Sequence, residues 1–227
     1  MKTDCTTRRA LFEDENADAR MGATFVISAA LTIALVFVWI IAPPASIGVS
    51  EGQLAPEIIG QGYLDGEWED FQLTDHINFS WVEGAEGQWI LLQFIDTDCP
   101  HCWKSGADMS EHWPIFGDSG AVLYVTIAVE VVGNEHSRDE IVAFKEKQDY
   151  VGCKSTSNCE NRPGDVHPWM YVDALNSDVS DDYALPGVPF ELLLSPDGIV
   201  IWNGAQHKSD GLDTVDSALR HHLMEDA

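Results

Sequence analysis

Cys99 and Cys102, in the run Cys99-Pro100-His101-Cys102, are the residues of this chain best suited to do chemistry. On the first turn of a helix the i, i+3 spacing places both sulfurs on one face, close enough for a disulfide. Cys99 would stand at the helix N-terminus, where unsatisfied N–H groups and the positive end of the helix dipole favour a thiolate over a thiol. It reads as the exposed nucleophile, with Cys102 one turn inward to resolve a mixed disulfide. His101 projects between them and can add a hydrogen bond or a positive charge, while Asp96 and Asp98 push the other way. A zinc half-site and a static bridge are the other readings. The position of the pair favours redox chemistry, because zinc would want a second ligand pair at knuckle-like spacing.

That position depends on the flanking elements. Trp89 to Ile95 is a nearly continuous apolar run of β-type residues, as expected of a strand covered on both faces. A helix follows from Cys99 to about Trp113, with Pro100 at its favoured first position and Pro114 beyond its end. Ala121 to Val132 reads as a second buried strand, and Ser137 as the cap of a charged helix from Arg138 to about Tyr150. Upstream, Ile58 to Leu73 forms a hairpin about Asp65-Gly66, since Asp-Gly supplies the positive φ of tight turns. Downstream, after a loop from Gly152 to Asp165, Trp169 to Val172 is a short strand. Phe190 to Leu194 and Ile199 to Trp202 then flank the turn Ser195-Pro196-Asp197-Gly198, and Asp210 to Met224 closes the chain as a helix. The class is α/β.

Cys153 and Cys159 lie in the loop and read as a local structural disulfide, with free or exchanging thiols as the other reading.

The chain carries 12 basic against 38 acidic residues in 227, a formal charge of −26 that argues against nucleic-acid binding. Residues 22–42 carry no charge and are nearly all apolar, long enough as a helix to cross the ~30 Å hydrocarbon layer. Lys2, Arg8, Arg9 and Arg20 precede them and the next basic residue is Lys104, so the N-terminus is expected in the cytoplasm. A cleaved export signal led by Arg8-Arg9 is the rival, disfavoured by the length of the apolar core and the acidic stretch before it. The expected organisation is a cytoplasmic arm (1–21) carrying an unpaired Cys5, a transmembrane helix (22–42), a linker (43–52) and an extracytoplasmic domain (53–227) in a single-pass cell-membrane protein.

The motif after the apolar strand, Gly187-Val188-Pro189-Phe190, Ser195-Pro196-Asp197-Gly198 and the C-terminal helix together resemble the thioredoxin superfamily. The apolar segment, Leu54-Ala55-Pro56-Glu57 and the Asp-Gly hairpin are similar to membrane-tethered TlpA/ResA-type members. The resemblance spans residues 50 to 224. It implies a central mixed sheet flanked by helices, with Pro189 as a cis-proline facing the active-site pair and the Val188 backbone pairing with a bound polypeptide. It also implies a thiol-disulfide oxidoreductase acting on exported cysteine-containing clients, with a membrane or extracytoplasmic redox partner. No cofactor beyond the redox-active disulfide is expected, and no resident metal.

Three features depart from that pattern. Asp98 stands where the family places an apolar residue, and Gln93 where it often places a proton-relaying carboxylate. The Pro100-His101 dipeptide resembles the periplasmic oxidase DsbA, and the argument from thiolate stabilisation makes the pair more oxidising than cytosolic thioredoxin. A second reading is a copper-delivery protein holding the metal with Cys99, Cys102 and His207, although the copper-handling relatives space their cysteines one residue wider.

Overall fold

A computed structural model describes residues 24–36, 45–131, 136–154 and 157–225. The chain divides into two units, Met1–Pro44 and Ala45–Ala227. In the first, residues 24–36 are helical, with Phe25, Leu31 and Leu35 exposed. Among the described residues no helix is long and apolar enough to cross a membrane. The remainder of the 22–42 segment, and the 1–21 arm with Cys5 and Arg8-Arg9, lie outside the described residues.

The second unit is built on a seven-stranded sheet in the order β2-β1-β5-β4-β3-β6-β7. Its strands are β1 (Ile59–Leu64), β2 (Glu67–Gln72), β3 (Trp89–Ile95), β4 (Val122–Ala128), β5 (Met170–Asp173), β6 (Phe190–Leu194) and β7 (Val200–Asn203). Helices α1 (Pro100–Phe116), α2 (Arg138–Glu146), α3 (Val179–Asp182) and α4 (Val215–Arg220) complete it. β3, β4 and β5 run parallel, and the β1–β2 and β6–β7 hairpins flank them antiparallel.

Alternation along β3 divides the core. Ile90, Leu92 and Phe94 join one apolar cluster with Val125, Ile127, Leu192 and Leu194. Leu91 and Ile95 point to the other face, where Met109 and Phe116 of α1 meet Tyr124, Trp169 and Trp202. With Ile90, Leu91, Leu92 and Phe94 all at 0% exposure, β3 is a central strand, as its unbroken apolar run requires.

The β1–β2 turn is Asp65-Gly66 with φ of 51° and 90°, both residues in the left-handed region that joins tightly twisted strands. Ser137 caps α2 by accepting the Glu140 N–H, but that helix stops at Glu146, where Lys147 turns left-handed, instead of reaching Tyr150. α1 continues through Pro114 to Phe116, so the proline sits inside the last turn, where it has no N–H to give the Ser110 carbonyl. The closing helix begins only at Val215, capped by Thr214, which forms a capping box with Ser217, and widens into a π-turn over His221–Glu225. The expected linker is partly ordered: Gly52 N–H donates to the Val200 carbonyl at 2.8 Å, and Leu54 N–H to Ser46 at 2.9 Å.

Candidate active site

The step from β3 to α1 positions the two cysteines. Asp96, Thr97 and Asp98 form the turn, closed by Cys99 N–H donating to the Asp96 carbonyl at 3.1 Å. Cys99 is the cap of α1, its Sγ accepting the Cys102 N–H at 3.4 Å, and Pro100 takes a first-turn position that needs no N–H donor. Both cysteines are free thiols.

Cys99 is 4% exposed, which corrects the expectation of an open nucleophile. The segment entering β6 meets the sulfur, and the Cys99 thiol donates to the Val188 carbonyl at 3.3 Å. The next bond, Val188–Pro189, is cis. Cys102 is fully buried, and burial pushes its thiol well above the ordinary range, offset in part by a backbone hydrogen bond at Asp96. The two sulfurs are thus unequal: one meets the helix N-terminus, the other holds its proton. Pro100 and His101 are exposed, and among the described residues His101 makes no hydrogen bond or ion pair, so the hydrogen bond that its sequence position allowed is not formed.

Gln93 points to the α1 side, where its Nε2 donates to the Ser105 hydroxyl at 2.7 Å and Ser105 donates to Glu191 Oε1 at 2.7 Å. Burial raises the Glu191 carboxyl, and hydrogen bonds from Ser105 and Gln93 oppose the rise. Sequence reasoning missed this carboxylate because it requires knowing that β3 and β6 are neighbours.

Cys153 and Cys159 are disulfide-bonded with Cα atoms 5.2 Å apart. Their loop reaches the turn before Cys99 through Lys154 N–H, which donates to the Thr97 carbonyl at 3.2 Å. Arg162 anchors its far end: fully buried, it donates to the carbonyls of Phe144, Pro163 and Asp165 at 2.7–2.9 Å. Arg162 also contacts His167, whose Nε2 lies 2.9 Å from the Gly106 carbonyl. A Cβ on Gly106 would meet the His167 ring at 3.0 Å, so the glycine lets α1 approach this loop.

His207 does not join the cysteines. Both its ring nitrogens face carboxylates, Glu51 at 2.6 Å and Asp210 at 2.5 Å, and its ring stacks on Trp202. Among the described residues, the only group of three or more ligand atoms lying within 4.8 Å of one another is Asp98, His136 and Glu140. The copper reading through Cys99, Cys102 and His207 therefore lacks its ligand set.

No family model and no curated protein matches the chain. Among solved structures it is similar to the 2-Cys peroxiredoxin of Plasmodium vivax, at 17% identity and TM-score 0.51, over 75% of this chain and 79% of that one. The mitochondrial 2-Cys peroxiredoxin of Plasmodium falciparum gives 16% identity and TM-score 0.50, over 77% and 90%. The thioredoxin domain of a Bacteroides vulgatus thiol-disulfide oxidoreductase gives 20% and 0.49, over 76% and 99%. The fold is thioredoxin-like. In that fold the parallel β3-α1-β4 unit presents Cys99 and Cys102 at the C-terminal end of a central strand, beside the segment leading into β6.

Proposed function

We propose that this protein is a membrane-anchored thiol-disulfide oxidoreductase that exchanges disulfides with exported cysteine-containing proteins through Cys99 and Cys102. The observation that carries the reading is the dithiol itself: Cys99 caps α1 and donates to the Val188 carbonyl, while Cys102 lies fully buried one turn on.

In the reducing direction the Cys99 thiolate attacks one sulfur of a client disulfide, forming a mixed disulfide and expelling the other client sulfur as a thiolate. Cys102, deprotonated, then attacks the Cys99 sulfur. The mixed disulfide breaks, the client leaves as a dithiol, and the enzyme holds the Cys99–Cys102 disulfide. Oxidation of a client runs the same steps backwards. A client strand entering beside Cys99 would displace the thiol from the Val188 carbonyl and take that acceptor for its own N–H. A redox partner, in the membrane or outside it, returns the pair to its working state.

Anchoring rests on the uncharged 22–42 segment, and orientation on Lys2, Arg8, Arg9 and Arg20 ahead of it. The second unit then faces the oxidising side of the membrane, where the Cys153–Cys159 disulfide is at home.

Trapping tests the assignment. Cys102→Ser leaves a nucleophile with nothing to resolve its product, so client mixed disulfides accumulate on non-reducing gels, and Cys99→Ser abolishes them. Trapping that survives Cys99→Ser but needs Cys153 or Cys159 would mean that the wrong pair has been named.

A further inference from the structure

A second cluster of reactive side chains lies where the 96–98 turn meets the start of α2. Asp96 is fully buried, Asp98 and Glu140 are 7% and 5% exposed, and the His136 side chain is 3% exposed. His136 is held by both ring nitrogens: Nε2 lies 3.3 Å from Asp96 Oδ1, and Nδ1 lies 3.3 Å from Glu140 Oε1. Asp98 faces the same point, so that one donor atom each from Asp98, His136 and Glu140 lie within 4.8 Å of one another. Asp96 is fixed independently, Oδ1 accepting the Asp98 N–H at 2.8 Å and Oδ2 the Val131 N–H at 2.7 Å.

Glu140 is also held in place, its Oε1 accepting the Thr97 hydroxyl at 2.5 Å, and that hydroxyl lies 3.3 Å from His136 Nδ1. The roles are unequal. With Nε2–H directed at the anchored Asp96, the lone pair of Nδ1 points toward Glu140 and Asp98. This is the carboxylate–histidine arrangement that orients a ligating ring. Donors bound at about 2.0–2.2 Å to one ion stand roughly 3–4 Å apart, and His136 Nδ1 and Glu140 Oε1 are 3.3 Å apart.

We propose that Asp98, His136 and Glu140 bind a divalent first-row transition-metal ion, with Asp96 orienting the His136 ring from outside. One imidazole nitrogen with two carboxylates suits ions of the manganese or zinc type better than magnesium or calcium, which favour all-oxygen sites. The ion would tie the turn before Cys99 to the N-terminal end of α2.

The test uses the full chain with Cys99 and Cys102 joined as a disulfide, which removes their sulfurs as ligands, and Mn²⁺ as the probe. High salt suppresses loose binding to an acidic surface. The expected result is one saturable site per chain, with a nitrogen coupling to Mn²⁺ in the electron spin-echo spectrum. Glu140→Gln and Asp98→Asn should each weaken binding at least about tenfold, and Asp96→Asn about 10–100-fold with the nitrogen coupling retained. His136→Gln should abolish the coupling, while the surface change Asp118→Asn leaves binding untouched. Weak, unsaturable binding to the unaltered chain would overturn the proposal, as would a single site without nitrogen coupling or one indifferent to Glu140→Gln and Asp98→Asn. The outcome is independent of client trapping.

Discussion

Gln93 on β3 is the cross-strand partner of Glu191 on β6, and the Ser105 hydroxyl of α1 joins their side chains in one hydrogen-bonded chain. A carboxylate absent from one strand is present on its neighbour. Burial raises the Glu191 pKa above its usual 4.5, so its carboxyl is protonated more readily in the folded chain than in the unfolded one.

Glu191 therefore contributes stability at low pH that is lost as pH rises through its elevated pKa. Glu191→Gln, which cannot ionise, should gain stability relative to the unaltered chain between pH 4.5 and pH 7. Urea unfolding at the two pH values measures this, and a difference that does not change with pH would contradict it.

His167 shifts the other way. Burial lowers its pKa well below 6.5, and the neighbouring Arg162 guanidinium adds to the effect. The folded chain keeps the ring neutral while the unfolded chain protonates it, so stability falls as pH drops below 6.5. Unfolding should take up about one proton near pH 5.5 that His167→Gln does not take up, read from the pH dependence of urea midpoints for the two chains.

The Cys153–Cys159 disulfide closes a short loop, with a sequence separation of 6. Chain-entropy arithmetic gives a loop of that size about 2 kcal/mol of stabilisation. Replacing both cysteines with serine should lower unfolding stability by about that amount while client exchange through Cys99 and Cys102 continues. Loss of exchange in a folded double variant would assign this pair a redox role.

The sequence revealed most where one residue type answers to one physical demand. Asp65-Gly66 specifies a hairpin because both positions need positive φ, and Trp89 to Ile95 specifies a central strand because no polar face interrupts it. Ser137 specifies a helix start. Cys99 at the cap of α1 was legible from its place after that strand, but its burial was not, because the Val188 carbonyl that meets it comes from far along the chain. The same holds for Glu191 beside Gln93 and for His136 between Asp96 and Glu140, which depend on strand order and helix docking. His207 is a further case: its sequence position allowed a metal ligand, and Asp210 nearby together with Glu51 from far up the chain holds it instead.

The most direct test of the account is the redox equilibrium of the pair itself. The full chain is equilibrated with glutathione buffers of stepped potential, quenched by alkylation, and its thiols are assigned by mass spectrometry. The account predicts that Cys99 and Cys102 interconvert reversibly as a single two-electron couple, more oxidising than the thioredoxin value of about −270 mV, while Cys153–Cys159 stays bonded. A Cys99–Cys102 pair that never forms a disulfide, or exchange confined to Cys153 and Cys159, would contradict it.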